Sequence, residues 1–203
     1  EINGADGAGT VRFGASNNTN GASDNIVGWF WNAPDTPSSN TDGSITSSVS
    51  ANPTAGFSIV SYQANGSAGD TVGHGLGVAP DFLIFKDRDN GAADWLIWHS
   101  DLANTEALAF TSDAKATGWG HFNSTTPGSS VITLGSAGAS GGGRVNQNPN
   151  DYICYAWNSV ENFSSFGSYT GNGSADGPFV YLGFKPAFLM VKNTGVDNWI
   201  MLD

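Results

Sequence analysis

Cationic side chains are scarce in this chain. Seven Lys and Arg stand against 18 Asp and Glu in 203 residues, a formal net charge of -11 at pH 7. Such a surface repels phosphate backbones and anionic headgroups, so neither nucleic acid nor a membrane is an expected partner. There is a single cysteine, Cys154, which rules out a disulfide within the chain. It lies in the apolar run Tyr152-Ile153-Cys154-Tyr155-Ala156-Trp157, where a thiol is a small buried hydrophobe rather than a nucleophile. No apolar run approaches the ~20 residues of a helical membrane span. The first residues, Glu1-Ile2-Asn3-Gly4, lack the basic and apolar regions of a secretory signal. The missing initiator Met is read as a processed chain or an excerpt of a longer one.

Groups suited to catalysis are equally sparse. The only glutamates are Glu1, Glu106 and Glu161, which leaves few candidates for the paired carboxylates of glycoside hydrolysis. The three histidines, His74, His99 and His121, show no metal-ligand spacing. Asp87-Arg88-Asp89-Asn90-Gly91 clusters oxygen donors as a calcium loop does. However, its Gly comes one place early, and Trp98 stands where the bidentate Glu belongs. A hairpin turn accounts for that loop and for Asn193 to Asn198 alike. Gly138-Ala139-Ser140-Gly141-Gly142 has the letters of a nucleophile elbow, but a Gly-rich polar run follows instead of a helix. No catalytic residue, no metal and no cofactor is expected.

Glycine and aromatics are abundant: 28 Gly, 12 Phe, 7 Trp and 5 Tyr. That much apolar surface excludes a disordered chain. The combination suits short strands joined by tight turns. Strands are predicted over 57–62, 82–86, 95–99, 107–111, 131–134 and 152–157, punctuated by Asn65-Gly66, Gly73 to Gly77, Asn90-Gly91 and Gly141 to Gly143. Phe82-Leu83-Ile84-Phe85 is apolar on both faces and reads as a central strand. The expected fold is all-β, built of tandem β-sandwich, jelly-roll-like domains.

One passage occurs twice. Ser61-Tyr62, Asn65-Gly66-Ser67-Ala68, Leu76-Gly77, Pro80, Phe82-Leu83, Lys86 and Trp95 are followed in the same order by Ser168-Tyr169, Asn172-Gly173-Ser174-Ala175, Leu182-Gly183, Pro186, Phe188-Leu189, Lys192 and Trp199. Val11-Arg12-Phe13-Gly14, with Asp24 to Trp31-Asn32, matches Val131 to Leu134-Gly135 with Asn150 to Trp157-Asn158. Residues 1–33 therefore read as the C-terminal part of a preceding repeat and 34–55 as a Ser/Thr/Pro-rich junction, read as a linker with an edge strand over Ser44-Ile45-Thr46-Ser47-Ser48-Val49 as the alternative. Residues 56–162 read as a complete β-sandwich repeat, and 163–203 as the N-terminal part of a following one. Tandem units build surface and reach more readily than one deep pocket. An alternative is a single globule in which the first and last segments pair.

Aromatics are the functional lead, because an exposed ring can stack on the apolar face of a sugar. Trp31, Trp95, Trp157 and Trp199 recur with the repeat and read as core. Trp95 and Trp98 have opposite strand parity and should face opposite sides. Trp98, His99, Trp119 and His121 are the candidate ligand-binding residues.

Three segments carry a resemblance: Phe57-Ser58-Ile59-Val60-Ser61-Tyr62, Thr71 to Pro80, and Phe166 to Gly173 continuing through Gly177-Pro178-Phe179-Val180. With the aromatic strand Asp151 to Trp157, they resemble a family of tandem β domains in large virion proteins of tailed, mostly marine, bacteriophages. These proteins are often labelled tail fibre or structural protein. The resemblance implies an extracellular place on the virion, other virion proteins as partners and no catalytic residues to carry over. It also implies a homo-oligomer, with a trimer the expectation. The expected function is a structural fibre or appendage protein that contributes to attachment to host-surface glycans. A capsid or tail decoration protein without receptor binding is the alternative, and a polysaccharide-degrading enzyme a third reading.

Overall fold

A computed structural model of the chain describes residues 2–5, 11–14, 17–23, 25–34 and 36–202. Asp24, the expected start of the first Trp-bearing strand, lies outside them. The elements in chain order are β1 (Ile2–Ala5), β2 (Val11–Phe13), α1 (Asn17–Asn20), β3 (Ser38–Asn40), β4 (Ser47–Asn52), β5 (Phe57–Gln63), β6 (Thr71–Gly73) and β7 (Phe82–Asp87). They continue with β8 (Leu96–His99), β9 (Val131–Thr133), α2 (Gly143–Asn146), β10 (Asp151–Trp157), β11 (Leu189–Lys192) and β12 (Trp199–Leu202). The fold is nearly all-β, and its strands pair antiparallel.

A six-stranded sheet in the order β3-β4-β5-β10-β7-β8 organises residues 38–157. β10 lies between β5 and β7, with Cys154 opposite Val60 on one side and Phe85 on the other. β7, apolar at consecutive positions, has a strand on both edges, as its composition predicts. The 34–55 stretch is not a bare linker: Ser48 pairs with Ser61 and Val49 with Val60, so β3 and β4 extend the sheet. The predicted strand at 107–111 is reduced to isolated bridges, Leu108 to Ile97 and Ala107 to Ala116. The run after Ser140, expected to be irregular, forms the single turn of α2.

Both faces of this sheet are apolar. Strand alternation sends Val60, Tyr62, Leu83, Phe85, Leu96, Trp98, Tyr152 and Cys154 inward to the main core. There Phe122, Ile132, Leu134 and Val145 close over them. The opposite positions, Phe57, Phe82, Ile84, Ile97 and Trp157, form a second cluster, with Trp95, Tyr155, Phe166, Met190 and Trp199 packed against it. Trp95 and Trp98 thus do face opposite sides, as their parity requires.

The repeated passage folds into the same hairpin twice. In the first copy Phe85 pairs with Leu96, Ile84 with Ile97 and Leu83 with Trp98. In the second, Val191 pairs with Ile200, Met190 with Met201 and Leu189 with Leu202. The shared lysine makes the same contact in each. Lys86 Nζ donates to Asn90 O (3.1 Å) and Ala93 O (2.5 Å), and Lys192 Nζ to Asn193 O (2.5 Å) and Gly195 O (2.9 Å).

Candidate functional site

Of the four aromatic and imidazole side chains singled out in the sequence, two are shut inside. Trp98 is 1% exposed, and its indole N–H donates to Ala103 O at 3.2 Å. His121 is fully buried against Phe122, with ring centroids 4.2 Å apart. Neither can stack on a sugar in solvent, so the expected ligand role is corrected for both. Phe122 links them, its ring 5.7 Å from that of Trp98, and the group is packing rather than a site. Trp119 is half-buried. The Arg144 guanidinium lies 5.0 Å over its ring and is tied to Asp94 at 3.1 Å, so that ring face is already occupied. His99 stands apart on the other side of the sheet, against Phe82, with its Nδ1 accepting from Asp101 N at 3.0 Å.

The remaining sequence candidates also have structural roles. His74 is buried, its Nε2 3.1 Å from Gly128 O while its Nδ1 accepts from Leu76 N at 3.3 Å. Cys154 is buried, and burial pushes its thiol well above the ordinary range. Asp87 secures the loop once compared with a calcium site. Its Oδ1 accepts from Asp89 N and Asn90 N, both at 3.0 Å, and its Oδ2 from Asn150 Nδ2 at 2.8 Å. Burial works against this carboxylate, but those hydrogen bonds and the Tyr152 hydroxyl at 3.1 Å win, holding it below its ordinary value.

The same loop builds one wall of an open groove of about 380 Å³ that the sequence candidates do not touch. Ser39, Ser48, Ser61, Gln63, Arg88 and Asp151 line it. The register explains why they converge: Ser39 lies opposite Ser48, Ser48 opposite Ser61, and Gln63 opposite Asp151. Each occupies the outward position of a strand whose neighbouring residues, Val49, Val60, Tyr62 and Tyr152, are core. Arg88 is fixed at the rim because its N–H donates to Asp151 O (2.9 Å) and Asp151 N to Asp89 Oδ2 (2.6 Å).

Further along β10 the same face changes from polar to aromatic. Tyr155, four residues on and roughly 13 Å away along the strand, stacks with Trp95 at 6.4 Å. Hydroxyls, an amide, a guanidinium and a carboxylate thus line the groove, while the Trp95 and Tyr155 rings, stacked on each other in the outer cluster, lie outside it. The groove set can donate to and accept from polyhydroxylated ligands.

What these elements define is a β-rich protein with an open polar groove on the face of its main sheet. The chain belongs to the family described as Domain of unknown function (DUF7483), whose match runs over residues 3–203. No curated protein and no solved structure matches it.

Proposed function

We propose that this chain is part of a bacteriophage virion fibre or appendage protein, extracellular on the particle. In this reading its tandem β units project outward, and the Ser61–Gln63–Asp151 groove contacts host-surface glycans. The observation that carries the reading is the hairpin made twice, in one register and with one lysine contact, at β7–β8 and β11–β12. Sequence repetition that becomes structural repetition is how extended arms are built. The resemblance seen in the sequence supports the placement on a virion, alongside other virion proteins and as a homo-oligomer, with a trimer favoured. We read the six-stranded sheet and the β6–β9 pair as the two layers of a jelly-roll-like sandwich.

The groove is read as a binding site without catalysis. Open, shallow and hydroxyl-lined, it suits weak contacts that several arms multiply by avidity. The test is binding of the purified chain to host envelope polysaccharide, with Gln63→Ala and Arg88→Ala alongside. Saturable binding weakened at least tenfold by the variants supports the reading. No binding by the parent chain removes the receptor role and leaves the decoration protein. Release of reducing ends from the polysaccharide overturns the non-catalytic reading.

A further inference from the structure

Two asparagine–glycine pairs sit at the same end of the large sheet, one on each side of β10. Asn65-Gly66 follows β5, and Asn90-Gly91 follows β7. In such a pair the glycine nitrogen can attack the asparagine side-chain carbonyl, because no Cβ hinders its approach. Both asparagines are exposed, so access to water does not separate them. Hydrogen bonding does. Asn65 Nδ2 donates to Asp70 Oδ2 (2.6 Å), and its Oδ1 accepts from Ser67 N (2.9 Å). Gly66 N, the group that would attack, donates to Oδ1 of the buried Asn146 at 3.0 Å, and Gly66 O accepts from Ala137 N at 3.2 Å. Attack there breaks contacts on both sides of the peptide group.

Asn90-Gly91 is held differently. Asn90 Nδ2 and Gly91 N donate to nothing among the described residues, and beyond the adjoining residues no atom lies within 4 Å of where a Gly91 Cβ would stand. What is held is the carbonyl between them. Asn90 O accepts from Lys86 Nζ (3.1 Å) and from Ala93 N (3.1 Å). That carbonyl and Gly91 N form one peptide group. When Gly91 N gives up its proton, the negative charge spreads onto Asn90 O, where an ammonium and an N–H already point. Donors aimed at a developing charge lower the barrier to forming it. The second hairpin gives the contrast. Lys192 Nζ donates to Asn193 O at 2.5 Å in the same way, but the next residue is Thr194, whose β-branched side chain crowds the nitrogen.

We propose that Asn90 is a site of self-modification, promoted by Lys86, at which the side-chain amide becomes a carboxylate. Gly91 N loses its proton to water and bonds to Asn90 Cγ. The Cγ–Nδ2 bond then breaks, and Nδ2 takes up a proton and leaves as ammonia. Water adds to either carbonyl of the resulting five-membered imide and breaks that carbon–nitrogen bond. Opening at Cγ gives aspartate with the original main chain. Opening at the main-chain carbonyl gives isoaspartate, in which the chain runs through the former side chain. One water is consumed and one ammonia released. Either product adds one negative charge to the loop that holds Arg88 at the rim of the groove. This chemistry does not depend on the glycan reading.

The test is peptide mapping by mass spectrometry of the whole chain, incubated at pH 8 and 37 °C in water enriched in oxygen-18. Asn90 should gain a carboxylate bearing heavy oxygen at least tenfold faster than Asn65, as a mixture of aspartate and isoaspartate. In urea that unfolds the chain the two rates should converge, because the difference belongs to the fold. Lys86→Met should slow Asn90 at least threefold. It should leave unchanged Asn172-Gly173, an exposed pair whose carbonyl accepts from no cation among the described residues. Lys86→Arg keeps a cationic donor and should keep most of the rate. Retained amide protection in β5, β7 and β10 verifies the fold of both variants. Equal rates at Asn65 and Asn90 in the folded chain overturn the proposal, as does a difference that persists in urea. An Asn90 rate that Lys86→Met leaves unchanged or raises also overturns it, since the reaction would then belong to the Asn-Gly pair alone.

Discussion

Trp31 rests edge-on against Trp157, with ring centroids 5.6 Å apart and planes at 68°, so two tryptophans that end similar stretches of the sequence are in contact. Trp157 continues the chain of rings to Phe57 (5.0 Å) and Phe82 (5.6 Å), and Phe82 stacks on Phe166 (5.7 Å). The sheet face is thereby tied to the segments before and after it. Trp157→Ala is expected to destabilise the unit by about 3–5 kcal/mol. Trp31 is half exposed, and its replacement by Ala should cost about 1 kcal/mol. A double-mutant cycle read by urea unfolding should return a coupling of about 0.5–1.5 kcal/mol. Strict additivity would mean that the ring contact carries no energy of its own.

Asn146 is buried and uses every valence of its amide. Its Oδ1 accepts from Asn65 N (3.3 Å) and Gly66 N (3.0 Å), while its Nδ2 donates to Ser67 O (2.9 Å) and Gly135 O (2.8 Å). It joins the 65–67 turn to the loop after β9. Asn146→Ala strands these main-chain groups and should cost about 2–4 kcal/mol. Asn146→Asp keeps the shape but turns two donors into acceptors facing carbonyls, so it should cost at least as much at pH 7. An Asp variant more stable than the Ala variant would show that the two donated bonds matter little.

The sheet was legible where alternation is strong. Val60, Tyr62, Tyr152 and Cys154 fall on one side of their strands, and a period of two needs no partner to be recognised. β4 was only half legible: Ser44 to Val49 offered an edge strand, but Ser47-Ser48-Val49-Ser50 has one apolar residue and Pro53 nearby, so a linker was the stronger reading; pairing with β5 and β3, not propensity, makes it an interior strand. The groove was hidden for a related reason. Gln63 and Asp151 are far apart in sequence and meet only through β5–β10 register. Trp98 misled because the sheet is apolar on both faces, so parity separates it from Trp95 without saying which side is closed. His121 misled because a loop, ordinarily solvated, is drawn inward here by Phe122.

Gly135 admits no side chain. Its N–H donates to His121 O at 2.7 Å, and a Cβ placed on it would lie 1.7 Å from Gly120 O. The obstacle is backbone, which cannot swing aside. Gly135→Ala should therefore cost more than about 3 kcal/mol or abolish folding. Gly77→Ala is the control: its φ of +77° is left-handed, but nothing lies within 4 Å, so it should cost only about 1 kcal/mol. Equal thermal midpoints for the two variants would contradict the close approach.

Burial of His121 is expected to make the fold sensitive to mild acid. Its two ring nitrogens have no hydrogen-bond partner among the described residues, and Trp119 and Phe122 pack against the ring. Burial pulls its pKa down from 6.5 to about 4. In the unfolded chain the imidazole takes up a proton below its ordinary value, whereas in the fold it stays neutral until about pH 4. Between those limits the unfolded state binds the extra proton. This contribution is therefore complete above the ordinary value and is lost as pH falls toward the folded one, up to ~3 kcal/mol. His74 and His99 are lowered in the same direction, chiefly by burial, so the quantity to read is the difference between parent and His121→Leu. Urea midpoints at pH 7, 5.5 and 4.5 should fall steeply for the parent and distinctly less for the variant. Leu also removes an unpartnered polar group from the interior, so the variant should match or exceed the parent at pH 7. Two curves that fall in parallel would show that the imidazole is hydrated in the folded protein, and that the acid sensitivity arises elsewhere.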